Sequence, residues 1–472
     1  MSKRMIRLVA LSVSMLMVML AFAGCGGAAN DKTENVGNET AATDVEKTAA
    51  SKGSSEKITM KFWVRDAAKK SVTSSLVDRY NEENEDNVYL EYEIYGENYK
   101  NVIQMSMAAG NPPDIFDLNG GLTIPQLAAA DYILPIDKYV DDDYKNDFYP
   151  DVLQQKSFYY KGSLYALPER AVFFRLVYNK ELFEKCGIAG PPETLEEMKE
   201  IAKKITDMGK GEFYGFASPL KTSSTWGRFC DNISALNGNT AEYGFDWKTG
   251  AFDFTKQKKA LEFLMSLEQE KIMMPGCINL DLEVGRVQFG AGKIAMWIDG
   301  NNLGGIFNTN QVQCDVDWDT APIPVFEGDQ RGKYYVLYDI ARLMSKATKY
   351  PDQAWSFLKY LHDNQNEYIK ESARTTIVNN DPSKVPSEFK GTKEFYNMDA
   401  NKAFPVQVHT FLTVEGDNRD ATYANIFTGG LDIDKGLKEL TERYNAALNK
   451  VLESGELTKE DINISGFDYF TR

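Results

Sequence analysis

Apolar and polar residues alternate with two different periods along the chain from residue 58 onward. A period of two, typical of a half-buried strand, is followed by a helical period, and the two then keep alternating. The predicted elements are strands over Ile58–Val64, Val88–Tyr95 and Asp114–Leu118, with helices over Ser71–Asn84 and Tyr99–Ala109 between them. This order and spacing predict parallel βαβ units.

The same alternation returns further along the chain. Thr194, followed by Glu197 three residues later, forms a capping-box pattern, which predicts that a helix begins there. The other elements predicted in this region are strands over Ala171–Tyr178 and Lys293–Ile298 and a helix over Pro351–Leu361. The whole pattern favours an α/β fold.

The N-terminal residues have the pattern of an export signal. Basic residues precede an apolar run over Leu8–Ala23, which ends in small residues and is short for a membrane span. We therefore expect a signal peptide over residues 1–24. Residues 25–56 begin with Cys25 and continue as a small, polar stretch without aromatics, which predicts a flexible linker.

Length and charge narrow the possible classes of protein. A chain of 472 residues with 43% hydrophobic residues usually divides its core between two lobes. The net charge is −16, and it becomes −19 once the three basic residues of the signal are removed. Such a protein repels nucleic acid phosphates and anionic membrane surfaces. We expect no nucleic acid partner, and contact with the membrane only through the N-terminus.

Cysteine and histidine usage argues against several kinds of site. The cysteines beyond the linker contain no CxxC pair, so a structural zinc site is not expected. They are Cys186, Cys230, Cys277 and Cys314. One disulfide remains an alternative to buried free thiols, which we favour. Because the chain has only two histidines, histidine-based metal sites and nucleophiles are disfavoured, and we expect no metal and no cofactor.

Four regions carry recognisable motifs. They read AAGNPPDIF (Ala108–Phe116); LYALP (Leu164–Pro168) with LVYNKELF (Leu176–Phe183) and PETLEE (Pro192–Glu197); FGAGKIAMWIDG (Phe289–Gly300); and SKATKYPDQAWSFL (Ser345–Leu358). In this order they resemble the extracellular solute-binding proteins of ABC importers, the family that includes the maltodextrin-binding protein. Ala23-Gly24-Cys25 likewise resembles a bacterial lipobox, in which the cysteine carries the lipid.

The resemblance implies an α/β, two-lobed periplasmic-binding-protein-like fold of type II, with a ligand cleft between lobes that close by hinge motion. We expect the three hinge crossings near Pro168–Phe174, Val336–Ala341 and Arg374–Val378. One lobe would then comprise residues 58–168 plus 342–374, and the other residues 172–336 plus 379–472.

The resemblance also implies a function. We expect a monomeric lipoprotein on the outer face of the cell membrane that captures a carbohydrate, most readily an oligosaccharide. It would deliver this ligand to the permease subunits of an ABC importer without any catalysis of its own.

Candidate ligand residues are polar and aromatic side chains at predicted strand ends, at the first crossing and in the loops beside them. Sugars present hydroxyls to polar groups and flat C–H faces to rings. The candidates are Trp63, Arg65, Asp66, Asn119, Gly120, Glu169, Arg170, Trp226, Asp299 and Asn302. Trp63 fits the core equally well, and Glu169 and Arg170 can also be read as a mutual ion pair. Trp226 is the main stacking candidate, because the polar stretch before it cannot bury it locally.

The sequence leaves three alternative interpretations of function. A glycosidase would need a carboxylate pair, but no nucleophile elbow, HExxH helix or phosphate-cradling glycine loop occurs. A calcium-dependent adhesion or structural protein is disfavoured, because the acidic clusters Asp141–Asp143 and Glu415–Asn418 lack EF-hand spacing. The same fold binding a peptide or a polyamine is the third alternative.

Overall fold

The computed structural model describes residues 57–65, 72–96, 98–118, 122–148, 152–153, 155–372, 383, 385–464 and 466–471, within the compact unit Ser55–Arg472. Some sequence predictions lie outside these residues. They are the signal peptide 1–24, the linker 25–56, the crossing Arg374–Val378, and the candidates Cys25, Asp66, Asn119 and Gly120.

Strands and helices alternate along most of the described chain. The strands are β1 (Ile58–Val64), β2 (Val88–Ile94), β3 (Ile115–Leu118), β4 (Tyr159–Tyr160), β5 (Ser163–Leu164), β6 (Pro168–Val172), β7 (Phe174–Asn179), β8 (Tyr214–Phe216), β9 (Phe245–Asp246), β10 (Ala251–Phe252), β11 (Ile294–Gly300), β12 (Trp318–Ala321), β13 (Tyr334–Met344) and β14 (Asn401–Ala403).

The α-helices number from the first described one. They are α1 (Val72–Glu83), α2 (Tyr99–Ala108), α3 (Ile124–Ala129), α4 (Asp142–Lys145), α5 (Lys180–Lys185), α6 (Leu195–Gly209), α7 (Ser224–Leu236), α8 (Lys258–Gln269), α9 (Leu282–Gly290), α10 (Leu303–Asn308), α11 (Pro351–Asp363), α12 (Gln365–Ser372), α13 (Arg419–Phe427), α14 (Ile433–Ser454) and α15 (Lys459–Ile462). Among the described residues, no helix combines the length and apolar character needed to span a bilayer.

Two larger sheets organise these elements. The large sheet has the order β14-β13-β3-β1-β2, with β6 also paired to β13, and the small sheet has the order β12-β7-β11-β8. β1 runs parallel to β2 and to β3, which confirms the parallel βαβ units predicted for this region. In the small sheet β11 is parallel to β8 but antiparallel to β7.

The strand predicted over Ala171–Tyr178 is wrong as a single element. The structure breaks it at Phe173: β6 before that residue pairs with β13 in the large sheet, and β7 after it pairs with β11 and β12 in the small one. Both Phe173 and Phe174 are buried, so the apolar run continues across the break and hides it in the sequence. The chain thus changes sheets within the predicted crossing Pro168–Phe174.

The crossing predicted at Val336–Ala341 lies inside one long strand. β13 pairs with β14 at its start, with β6 in its middle and with β3 at its end, so it stays in the large sheet throughout. Because its middle pairs with β6, β13 holds the strand that precedes the change of sheet at Phe173.

Helix α6 shows how local signals and close packing combine. Thr194 accepts a hydrogen bond from the Glu197 N–H, and the Glu197 carboxylate accepts from the Thr194 N–H, which confirms the predicted capping box. The helix lies against β8 at Gly215, where an added Cβ would sit 2.0 Å from the carbonyl oxygen of Ala202. Only glycine permits this approach of strand to helix.

Trp226 belongs to the interior of the fold. It is 1% exposed on α7 and packs edge-on against Tyr423 and Phe427 of α13, with ring centroids 6.1 and 5.7 Å away. The residues next to Trp226 in sequence are polar and do not bury it; it is buried by α13, which lies about 200 residues further along the chain. The expectation of an accessible ring for sugar stacking at Trp226 is therefore not met.

The other tryptophans are also largely buried in the core. Trp297 is fully buried and stacks on Phe289, and Trp247, which directly follows β9, stacks on Phe404 and Phe467. The described cysteines, Cys186, Cys230, Cys277 and Cys314, are free thiols. The prediction of buried free thiols is confirmed for the first three, whereas Cys314 is a free thiol that is only partly buried.

Replacing Trp226 tests this core assignment. Trp226→Ala should lower the free energy of unfolding by about 3–5 kcal/mol, because it leaves a cavity between α7 and α13. Trp226→Phe keeps a ring there and should cost clearly less. Urea denaturation followed by circular dichroism measures both. A loss below about 0.5 kcal/mol for the alanine variant would be typical of a surface position and would contradict the assignment.

Replacing Thr194 tests the helix cap. Thr194→Ala should cost about 1 kcal/mol, because the N–H of Glu197 loses its acceptor. Thr194→Ser retains the hydroxyl and should be close to the unchanged protein in urea denaturation. Equal losses in the two variants would show that the threonine methyl group, not the cap, carries the stability.

Candidate functional site

The point at which the chain changes sheets is held by one side chain from another strand. Asn301 directly follows β11 and is 2% exposed. Its amide nitrogen donates to the carbonyl of Ala171 at 2.9 Å, and its backbone N–H donates to the carbonyl of Phe173 at 3.0 Å. Its amide oxygen accepts from the N–H of Phe173 at 3.4 Å. The end of β11 is thereby tied to both sides of the break between β6 and β7.

A second buried side chain ties a later part of the chain to the same place. Arg175 is fully buried, and its guanidinium lies over the ring of Tyr334 at 4.0 Å. It donates to the oxygens of Phe174 (carbonyl, 2.8 Å), Glu394 (carbonyl, 3.2 Å), Asn397 (carbonyl, 3.2 Å) and Asn401 (side chain, 3.1 Å). The starts of β7 and β13 and residues 394–401 therefore meet at one guanidinium.

A cavity of about 200 Å³ lies beside this junction. Its described lining residues come from β6, β7, α7 and the turn after β11. They are Arg170, Ala171, Val172, Phe174, Arg228, Asn301 and Asn302. Guanidinium and amide groups donate hydrogen bonds in fixed directions, and the aliphatic side chains and the ring supply apolar surface. This mixture suits a small polar molecule that carries C–H groups.

Beneath the cavity lies a buried ionic cluster centred on Asp299. The carboxylate is fully buried and accepts from Arg286 at 3.0 and 3.2 Å and from the N–H of Gly300 at 2.7 Å. Arg228 also donates to it. Burial raises the pKa of Asp299, but Arg286 and then Arg228 lower it by more, so that the net pKa lies below its ordinary value.

Asp299 was predicted as an acceptor for ligand hydroxyls, and the structure gives it a different place. Its oxygens are occupied by the two arginines and one backbone N–H, and no part of it is exposed. What it does instead is orient Arg228, which reaches from the cluster to the cavity. Arg228 also lies over the ring of Phe174, with the guanidinium carbon 5.2 Å from the ring centroid.

Glu169 and Arg170 do not act together. Successive strand residues point to opposite faces, so Arg170 lines the cavity while Glu169 turns away from it. Glu169 pairs with Arg342, whose Nε is also 3.4 Å from a carboxylate oxygen of Asp117. The structure therefore pairs Glu169 with Arg342 of β13 and not with Arg170.

The candidates at the end of β1 lie away from the described lining of this cavity. Trp63 is 9% exposed and packs against Tyr95, with ring centroids 5.0 Å apart. The N–H of Arg65 donates to the carboxylate of Asp117 at 3.2 Å. Of the sequence candidates that the structure describes, it brings together Arg170 and Asn302 at the cavity and places Asp299 just below it. The missing side chain of Gly300 leaves room for Asn302, since a Cβ there would lie 2.9 Å from its amide oxygen.

Sequence reasoning missed Arg228, Phe174 and Asn301. One signal for Arg228 was available: β8 is parallel to β11, and α7 is the next helix after β8, so α7 starts near the edge where both strands end. Polar residues in its first two turns were therefore candidates. No comparable local signal marks Phe174, because it reads as one more apolar residue of a continuous strand.

A larger cavity, of about 760 Å³, lies elsewhere, along the β4–β5 hairpin and the turn between α14 and α15. Tyr159, Tyr160 and Phe411 contribute to its lining. We place the candidate site at the smaller cavity because its lining comes from both sheets. A ligand bound there contacts both sides of the junction between the sheets. The larger volume of the other cavity is not by itself a reason to place a ligand there.

Comparison with known proteins shows what this chain is related to. The family model for bacterial extracellular solute-binding proteins matches residues 65–368, which is more than half of the chain. A maltotriose-binding protein from Pyrococcus abyssi is 28% identical over 278 residues, covering 58% of this chain and 56% of that protein. The chain spans about half the length of the curated relatives it matches.

Solved structures show the same fold. One, from work on xylan utilisation by Caldanaerobius polysaccharolyticus, superposes with a TM-score of 0.68 at 23% identity, covering 82% of this chain and all of that chain. An ABC substrate-binding protein from Listeria monocytogenes in complex with cycloalternan has a TM-score of 0.64 at 17% identity, covering 85% of this chain and all of that chain.

These likenesses confirm the two-lobed fold of type II predicted from the sequence. The family match covers the region in which the chain passes between its two sheets and includes all of the cavity's described lining residues. The protein belongs to the bacterial extracellular solute-binding protein family.

Proposed function

We propose that this protein is the substrate-binding lipoprotein of an ABC importer and that it captures a carbohydrate at the cavity beside Phe173. One observation carries the proposal: the described lining combines strand β6 of the large sheet with β7, α7 and the end of β11 around the small sheet. A ligand seated there touches both lobes. It would then stabilise the closed arrangement by its differential affinity for the two states.

The chemistry of the lining supports a sugar. Arg170, Arg228 and Asn302 offer directed hydrogen-bond donors, and Phe174 and Val172 offer apolar surface. The cavity is smaller than the roughly 300–1,000 Å³ common for drug-sized ligands. It therefore accommodates one ring or one substituted end of an oligosaccharide, and the rest of the ligand would extend along the cleft between the lobes.

Partners and location follow from the same proposal. Lipid on Cys25 would anchor the protein to the outer face of the membrane, with residues 26–56 as a tether. The lobes, 58–168 plus 342–374 and 172–336 plus 379–472, would rotate about the junction held by Asn301 and Arg175. The closed monomer would dock on the permease subunits and release the sugar without chemistry. The related maltotriose-binding protein and the cycloalternan complex support an oligosaccharide as the class of ligand.

A thermal-shift screen of the purified protein tests the function. Ligands that bind only the native state raise the melting temperature by mass action. The panel holds monosaccharides and oligosaccharides, with peptides and polyamines as the competing classes. A shift with sugars alone is the expected result. If only a peptide or a polyamine shifts the protein, the carbohydrate assignment is wrong. Chromatography of the bound oligosaccharide after long incubation should return it uncleaved.

Asn302 offers the simplest test of the site. Asn302→Ala removes a partly exposed amide from the cavity and should weaken the binding of the sugar found in the screen by about 0.5–1.5 kcal/mol. Asn279→Ala, at an exposed position on a short helical turn of the same lobe, is the matched control. Titration calorimetry measures both. Equal affinities for the two variants would move the site away from this cavity.

Asp299 offers a test through pH. Asp299→Asn leaves two buried guanidiniums without their carboxylate and should destabilise the fold by about 3–5 kcal/mol at pH 7. The pKa of Asp299 is lower in the folded than in the unfolded state. Its contribution is therefore complete above the unfolded value of about 3.9 and is lost as the pH falls below it. The difference in free energy of unfolding between the unchanged protein and Asp299→Asn should therefore shrink as the pH falls below this value.

Urea midpoints at pH 7 and in acid measure this gap. Asp434→Asn is the matched control, because Asp434 is exposed and pairs with Lys258 at the surface. Its cost should stay within about 1 kcal/mol at either pH. A gap for Asp299→Asn that stays constant into acid would show that the carboxylate's charge does not stabilise the cluster.

A further inference from the structure

Partly exposed aromatic side chains line the larger cavity, along the β4–β5 hairpin and the turn between α14 and α15. They are Tyr159, Tyr160 and Phe411. In the smaller cavity the aromatic residue among the described lining is Phe174, which is only 5% exposed. Accessible ring faces can cover the flat C–H faces of a ligand ring. The lining of the larger cavity, and not its volume, therefore gives it a chemistry of its own.

Each wall of this cavity is ordered by its own backbone and hydrogen bonds. The hydroxyl of Tyr159 donates to the carbonyl of Leu153 at 2.9 Å, and Tyr160 is paired with Ser163 in the β4–β5 hairpin. On the other wall, Gly455 ends α14 with a φ of 76°, a left-handed conformation that glycine adopts without strain. A site whose walls are already ordered loses little conformational entropy when a ligand binds.

Contacts between distant segments hold the two walls together. The N–H of Lys156 donates to the carbonyl of Pro405 at 2.7 Å, and the N–H of Gln407 donates to the hydroxyl of Ser157 at 3.2 Å. The ammonium of Lys156 also pairs with Asp461, whose carboxylate completes the capping box at the start of α15. Segments about 300 residues apart in sequence are thereby fastened beside one cavity.

The charges around the larger cavity balance. Among its described lining residues, Lys156 and Lys161 are positive, and Glu456 and Asp461 are negative. Lys156 and Asp461 pair with each other, while Lys161 and Glu456 are exposed, so solvent screens them. A charged ligand would meet as many like charges as opposite ones. A hydroxyl, by contrast, both donates and accepts hydrogen bonds, so this lining favours a neutral ligand rich in hydroxyls.

We infer that the larger cavity is a second carbohydrate site, which takes a neutral oligosaccharide independently of the cavity beside Phe173. Tyr160 and Phe411 contact C–H faces of the sugar, while Lys161 donates to one hydroxyl and Glu456 accepts from another. The ammonium of Lys161 lies 5.2 Å from the ring centroid of Tyr160, so a donor stands next to that ring. The volume of about 760 Å³ leaves room for several sugar units. The inference shares the ligand class of the proposed function but not its site.

Titration calorimetry of the whole protein with neutral oligosaccharides of increasing length tests this site. Two bound molecules per protein are expected, one at each cavity. Tyr160→Leu and Phe411→Leu keep apolar volume but remove a ring, so each should weaken binding at the larger cavity about three- to tenfold. Binding at the smaller cavity should be unchanged in both variants. The affinity of the larger cavity should change by less than about twofold between about 0.05 and 0.5 M salt, because the ligand is neutral.

Two further variants serve as controls. Tyr89→Leu removes a tyrosine that is 42% exposed on β2 and has the ammonium of Lys57 at 4.5 Å from its ring centroid, much as Tyr160 has Lys161. Both binding events should be unchanged in it. Asn302→Ala should weaken binding at the smaller cavity and leave the larger one as it was. Circular dichroism monitors folding in parallel, and Phe411→Leu, outside the hairpin, gives the same readout if Tyr160→Leu does not fold.

The inference and the proposed function fail in different ways. One bound saccharide per protein, weakened by Asn302→Ala but not by Tyr160→Leu or Phe411→Leu, would overturn the inference and leave the proposed function intact. One bound saccharide weakened by the two leucine variants alone supports a carbohydrate site at the larger cavity, and it overturns the placement of the transported sugar at the smaller one. A peptide or a polyamine bound at the larger cavity in place of any sugar contradicts the ligand class. Failure of every saccharide to bind would overturn both.

Discussion

At Phe173 the chain leaves the large sheet and enters the small one. Because neither sheet continues through this residue, its backbone groups lack the regular hydrogen bonds of a strand. Buried N–H and C=O groups must nevertheless be bonded, since each one left alone costs as much as a lost hydrogen bond. Asn301 meets this requirement by bonding the carbonyls of Ala171 and Phe173 and the N–H of Phe173. Because Asn301 follows β11 directly, the break in the chain and the end of that strand form one unit. The candidate cavity lies against this unit.

Buried charge surrounds the junction, and each charge is held by several partners. Arg175 is satisfied by carbonyl and amide oxygens from residues 394–401, so it fastens that segment to the start of β7. Asp299 is satisfied by Arg286, Arg228 and a backbone N–H. An isolated buried ion would be too costly to keep, so these networks permit few alternative geometries. A firmly held junction is what two lobes need if they are to rotate as bodies around a ligand.

Several parts of the fold were predictable because their signals are local. Alternation of apolar and polar residues at regular spacing predicts the parallel strands β1, β2 and β3. The Thr194–Glu197 capping box predicts the start of α6. Arg170 and Asn302, which line the candidate cavity, were among the sequence candidates because Arg170 lies in a predicted crossing and Asn302 follows a predicted strand. Trp226 was misjudged because its packing partners Tyr423 and Phe427 come from a helix near the other end of the chain. Proximity along the sequence says nothing about such a contact.

The sequence by itself determined the order and type of most elements, the parallel pairing of the first strands, and the family to which the chain belongs. It also proposed candidate residues at strand ends, of which Arg170 and Asn302 line the cavity. Only the tertiary structure decided which neighbours serve the cavity: Arg170 faces it and Glu169 does not, while Asp299 supports Arg228 from below. The physical reason is that element type depends on residues a few positions apart. The partner of a charge and the face of a strand that meets a ligand depend on groups that folding brings together from distant parts of the chain.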